Sequence, residues 1–133
     1  MTKYVFDSYA ILVLFREENG YEEVIDLLTL ISSGKAEGYI CSVNIGEVYY
    51  ITERKQNISN AKTALDSIKK LNLNIVDADL SLCIEAAKIK AVNIMSYADA
   101  FAAALAKSQN AHLVTGDKEF KQFEKDVKIH WLK

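Results

Sequence analysis

Four acids are each embedded in a short motif beside an apolar segment: Asp7 in Val5-Phe6-Asp7-Ser8, Glu47 in Asn44-Ile45-Gly46-Glu47, Asp99 in Tyr97-Ala98-Asp99-Ala100, and Asp117 in Thr115-Gly116-Asp117. Brought together, four carboxylates repel one another, and a shared divalent cation is the natural way to hold such a cluster. The chemistry that uses this arrangement is phosphodiester hydrolysis, where one or two Mg2+ or Mn2+ ions on carboxylate oxygens activate water and neutralise transition-state charge. Each acid also has a plainer reading. Asn44-x-x-Glu47 and Ser96-x-x-Asp99 match the capping pattern of a short polar residue with an acid three positions on. Asp7 and Asp117 fit simple N-caps, each contributing about 0.5–2 kcal/mol to its helix.

The elements that must position these residues follow from apolar periodicity. Tyr4-Val5-Phe6 reads as a strand, and Ser8 to Arg16, apolar almost all round, as a buried helix. After the turn signal Asn19-Gly20, Val24, Leu27, Leu28 and Ile31 mark a second helix that Gly34 closes. Tyr39-Ile40-Cys41 is a second strand. A third helix is expected from Asn44, with Glu47 in its first turn, and a fourth carries Ile58, Ala61, Leu65 and Ile68. Leu73 to Val76 is a third strand, and Leu80, Ile84, Ala87 and Ala91 mark a fifth helix. An alanine-rich sixth helix follows from Tyr97 to Lys107. His112 to Thr115 is a fourth strand, a short helix follows Asp117, and Lys128 to Leu132 alternates like a fifth strand. Strands separated by helices imply parallel pairing and a three-layer α/β sandwich. In open parallel sheets, ligands bind beyond the carboxyl ends of the strands. All four acids fall at such ends or at helix starts.

Composition narrows the class. The 133 residues are half apolar and 26% charged, without proline, which fits one globular domain spanning 1–133. No repeat or linker marks a second. Charges at Lys3 and Asp7 leave no signal-peptide core, and the apolar run from Ala10 stops at Arg16, short of the roughly 20 residues that cross a bilayer. A soluble, cytoplasmic protein without membrane contact is expected. Two cysteines, Cys41 and Cys83, lack ligand spacing and read as packed thiols. A net charge of −2 argues against a broad basic nucleic-acid face. An acidic pocket that holds a cation still attracts phosphate, with Arg16, Lys118 and Lys121 as candidate substrate contacts.

The opening Val5-Phe6-Asp7-Ser8, Asn44-x-x-Glu47, Tyr97-Ala98-Asp99-Ala100 before an alanine-rich helix, and Thr115-Gly116-Asp117-x-Glu119-Phe120 together resemble PIN domains, and among them VapC-type toxins. The resemblance runs through the whole chain in order. It implies a five-stranded parallel sheet of order 3-2-1-4-5, Mg2+ or Mn2+ dependence, endonucleolytic cleavage of RNA and a homodimer. It also implies a VapB-type antitoxin, through which any DNA contact would be made. Carried over by position, Asp7, Glu47 and Asp99 are the main metal and catalytic acids, Asp117 completes the cluster, and Ser8 and Thr115 support it. Glu119 reads as solvated surface. A housekeeping PIN nuclease of RNA processing would share every one of these residues, and a non-catalytic PIN-like binding module would have lost acids.

Other signals are weaker. His112 and His130 lack ligand-spaced partners and read as structural. Tyr49, Tyr50 and Tyr97 read as core aromatics, with base stacking the alternative. Ser8 lacks a Gly-x-Ser-x-Gly elbow, and no phosphate-binding glycine loop occurs. A receiver-type phosphoacceptor would carry an adjacent acidic pair after the first strand, and a dehalogenase-type phosphatase an Asp two residues after Asp7. Ser8 and Tyr9 stand at those positions.

Overall fold

The neighbours Val5 and Phe6 are both fully buried, yet each belongs to a different apolar cluster, as period-2 alternation in a strand covered on both faces requires. The same split separates Ile40 from Cys41 and Leu113 from Val114. These pairs sit on the three central strands of a computed structural model that describes residues 1–133. In chain order the elements are β1 (Thr2–Phe6), α1 (Ser8–Arg16), α2 (Tyr21–Ser32), β2 (Ala36–Cys41), α3 (Ser42–Lys55), α4 (Ile58–Lys69) and β3 (Asn74–Val76). They continue with α5 (Leu80–Val92), α6 (Tyr97–Gln109), β4 (His112–Thr115), a 3-10 helix (Lys118–Phe123) and β5 (Ile129–Trp131). The strands form one sheet of order β3-β2-β1-β4-β5, every pairing parallel. This is the α/β sandwich with order 3-2-1-4-5 that the sequence resemblance implied.

One cluster unites Phe6, Ile40 and Val114 with Ile11, Val24, Val48 and Ile68, so α1 to α4 cover one face. The other packs Val5, Cys41 and Leu113 against α5, α6 and the 3-10 helix, through Leu82, Phe101, Leu105 and Phe120. Each such side chain contributes roughly 1.5–3 kcal/mol by burial. Helix α6 is buried without interruption from Ala100 to Ala106, because alanine lets its backbone lie close to the sheet. No helix is long and apolar enough to cross a membrane.

Two expectations need correction. Helix α3 begins at Ser42, with Cys41 as its N-cap, so Asn44 is inside the helix and Glu47 lies in its second turn. Asn44 does not cap, because its side chain is fully buried and committed to tertiary hydrogen bonds. Helix α5 buries Leu82, Ala86 and Ile89, and turns Leu80 (77% exposed), Ile84, Ala87 and Ala91 outward. Both faces of that helix are apolar, so periodicity alone could not choose between them. The side chain of Asp79, the N-cap of α5, accepts from the Leu82 N–H at 2.9 Å.

Candidate active site

Asp7 is the first residue beyond the central strand β1, and only 1% of its surface is exposed. It caps α1: Oδ1 accepts from the Ala10 N–H at 2.8 Å, and Oδ2 accepts from the Thr115 hydroxyl at the end of β4. Burial pushes its carboxyl up to about 7, and the charges of Asp99 and Asp117 add to the rise. The two hydrogen bonds oppose it without cancelling it.

Asp99 enters from the first turn of α6, whose N-cap Ser96 accepts the Asp99 N–H at 3.1 Å. Burial again raises the carboxyl to about 7, followed by repulsion from Asp117, then from Glu47 and Glu119, with Ser96 opposing. Asp117 caps the 3-10 helix through the Glu119 N–H at 3.0 Å and donates its own N–H to the Thr115 hydroxyl, also at 3.0 Å. Thr115 therefore couples Asp117 to Asp7, accepting from one and donating to the other. Glu47 is half-buried and forms no salt bridge, and with α3 starting at Ser42 it has no capping task.

Ser8 and Asn44 frame the site from below. The Ser8 hydroxyl donates to the Asn44 carbonyl at 3.3 Å and accepts from Asn44 Nδ2 at 3.2 Å. The other Nδ2 proton goes to the Ala98 carbonyl, at 3.2 Å, one residue before Asp99. Asn44 thus ties the entrance of α1 to that of α6. Its Oδ1 is buried and finds no protein partner, which costs about 1–3 kcal/mol.

The sequence-predicted acids are brought to one edge, where Asp7, Asp99, Asp117 and Glu47 interact through their charges. Ligand oxygens of Asp99, Asp117 and Glu119 lie within 4.8 Å of one another. Glu119, read above as solvated surface, is exposed and yet belongs to this cluster. The signal for it was its place two residues after Asp117, on the turn that Asp117 caps. Asn44 was read as a cap, and only its burial discloses the tie between helices. Lys118 and Lys121 follow Asp117 on the 3-10 helix, both exposed and neither in a salt bridge. Arg16 is not brought to the acids. It closes α1, about 12 Å of helix beyond Ser8, and lines a cleft with Phe15, Thr52 and Gln56.

Oxygen donors alone, two of them destabilised as anions by burial and mutual repulsion, suit a hard divalent cation. A PIN-domain family model matches residues 4–126. No curated protein matches the chain. Among solved structures it is similar to VapBC2 from Rickettsia felis bound to promoter DNA, with TM-score 0.74 and 18% identity over 99% of this chain and 100% of that one. DNA-bound VapBC from Salmonella typhimurium gives 0.73 and 20% over 98% of each chain. The Mycobacterium tuberculosis toxin VapC20, which cleaves the sarcin-ricin loop, gives 0.73 and 14% over 90% of this chain and 94% of that one. Over almost its whole length, then, the chain belongs to the PIN-domain family.

Proposed function

We propose that this protein is a divalent-metal-dependent endoribonuclease and the toxin of a type II toxin-antitoxin pair. The observation that carries this reading is the acid cluster at the carboxyl edge of the sheet, where Asp7 and Asp99 are held near pH 7 by burial and by each other's neighbours. Carboxyls perturbed by burial and by neighbouring like charges are a mark of a functional site. Asp7, Glu47, Asp99 and Asp117 would hold one or two Mg2+ or Mn2+ ions. When bound, these supply activation of water and neutralisation of charge on the phosphodiester.

The chain's own residues do the rest. Thr115 and the Ala10 N–H fix both oxygens of Asp7, so this carboxylate is preorganised. Ser8, through Asn44, sets the entrances of α1 and α6 relative to each other. Lys118 and Lys121 draw the RNA backbone toward an otherwise negative edge. By likeness to the VapBC structures, a VapB-type antitoxin, a homodimer and a cytoplasmic setting belong to this reading, with any DNA contact made through the antitoxin.

The test uses purified, antitoxin-free protein with end-labelled structured and unstructured RNAs. Cleavage is expected with Mg2+ or Mn2+ and none with EDTA. Cleavage that persists in EDTA, or no cleavage of any RNA with either metal, overturns the proposal.

A further inference from the structure

Gly116 stands between Thr115, whose hydroxyl donates to Asp7, and Asp117, whose N–H reaches that same hydroxyl. Only Gly20 and Gly34 among the glycines have positive φ, so the backbone at residue 116 does not demand glycine. Space does. A Cβ at Gly116 would lie 2.4 Å from Cε1 of Tyr9, 2.9 Å from its Cζ and 3.1 Å from its hydroxyl oxygen. The Tyr9 ring therefore rests on the short segment that joins Thr115 to Asp117, at the rim of the acid cluster, while 44% of the residue remains exposed.

The other exposed tyrosines are engaged elsewhere. Tyr97 donates its hydroxyl to the Cys83 carbonyl at 3.2 Å and packs on Phe101 with ring centroids 4.8 Å apart. Tyr50 lies under the Arg54 guanidinium, 5.3 Å from its ring centroid, more than two turns into α3. Tyr9 makes no side-chain hydrogen bond to the protein, and its ring lies against the backbone that frames the acids. An aromatic ring held in place loses little freedom on binding and offers its open surface to any base, since every base has a π-face.

We propose that Tyr9 forms a nucleobase-stacking subsite that holds a base next to the phosphodiester facing the acids, a proposal that rests on the ribonuclease reading above. Single-stranded RNA is the substrate form it fits, because an unstacked base must leave its neighbours to lie on the ring.

The experiment places 2-aminopurine at successive positions of a single-stranded RNA. Fluorescence is read with Mg2+ in the Asp99→Asn protein, which should leave the strand whole, and cleavage of the same RNA is read in the parent background. Stacking on Tyr9 predicts quenching confined to one or two adjacent positions, kept by Tyr9→Phe and lost in Tyr9→Ala. It also predicts that kcat/KM falls about tenfold or more in Tyr9→Ala and less than about twofold in Tyr9→Phe. Gly116→Ala, which displaces the ring, should resemble Tyr9→Ala, with melting temperatures confirming that each variant is folded. Cleavage and quenching in Tyr9→Ala equal to the parent overturn the subsite while leaving the nuclease reading intact. Localised, Tyr9-dependent quenching by a parent that cleaves no RNA overturns the nuclease reading and retains the subsite.

Discussion

At the amino edge of the sheet a cleft of about 820 Å³ is lined by Lys3, Lys107, Lys125 and Lys128 together with Glu124 and Asp126. At the carboxyl edge Asp7, Asp99, Asp117 and Glu119 gather without a salt bridge to any of them. The first edge holds a defined cleft, and its charges of both signs are mostly exposed to water, where neighbouring charges contribute little. The acids gathered at the second carry one sign and are partly buried, with Lys118 and Lys121 exposed beside them and paired to none, so two carboxyls are raised to about 7. A cleft alone is therefore a poor guide to chemistry in this molecule. What marks the site is charge that the fold confines and does not neutralise.

The largest effect should come from removing one of the confined charges. Asp99→Asn keeps the shape of the side chain and the N–H bond to Ser96, so the fold should survive. RNA cleavage should fall on the order of 100-fold or more. The double variant Lys107→Ala/Lys128→Ala, at the amino edge, should cleave within about twofold of the parent. Initial rates on one RNA with saturating Mg2+ decide the matter. Equal losses at both edges would show that the contrast between them does not map onto catalysis.

Asp7 gives a second test, in which stability and activity move in opposite directions. Its folded carboxyl keeps a proton up to about pH 7, whereas an unperturbed aspartate loses it near 3.8. Protonation thus favours the folded state: this contribution is complete below pH 3.8 and is lost as the pH rises through 7. Without divalent ions, Asp7→Asn should melt above the parent at pH 8, by an amount reflecting a few kcal/mol, and close to it at pH 4. The Asn side chain can still accept from Ala10 and donate to the Thr115 hydroxyl. Mg2+ should raise the parent's melting temperature more at pH 8 than at pH 5, since ion and proton compete for the same oxygens, and should do little for Asp7→Asn. A parent-minus-variant difference that does not change with pH would show that Asp7 is not a confined charge.

Much of this was legible in the sequence, for reasons that differ from residue to residue. Asp7 directly follows one strand signal and Asp117 comes one glycine after another, and a parallel sheet brings such ends to one edge. Asp99 was marked by Ser96 and by the alanine run that fixes α6 close to the sheet. Glu47 was found for a partly wrong reason: Asn44 suggested a cap, whereas the helix starts at Ser42 and Asn44 is spent on Ser8 and Ala98. Arg16 looked available because a charge at the end of an apolar helix has no partner in sequence. Its placement depends on the direction in which α1 runs, away from the edge that Asp7 occupies. The face of α5 was missed because both its faces are apolar, and Tyr9 because only the contact with Gly116 sets it apart from the other tyrosines.

The smallest effect should belong to Glu119, and it measures how far the confined region extends. Its carboxylate reaches the same space as those of Asp99 and Asp117, but it is exposed and little desolvation is imposed on it. Exposed charges contribute up to about 1 kcal/mol, so Glu119→Gln should cost no more than about fivefold. The loss should appear as a higher Mg2+ concentration for half-maximal rate, with the rate at saturating Mg2+ nearly unchanged, because the variant weakens the hold on the cation and leaves Asp7 and Asp99 in place. A titration of initial rate against Mg2+ separates the two quantities. If Glu119→Gln is as damaging as Asp99→Asn at saturating Mg2+, burial does not rank these acids. If its titration overlays the parent's, the working cluster ends at Asp117.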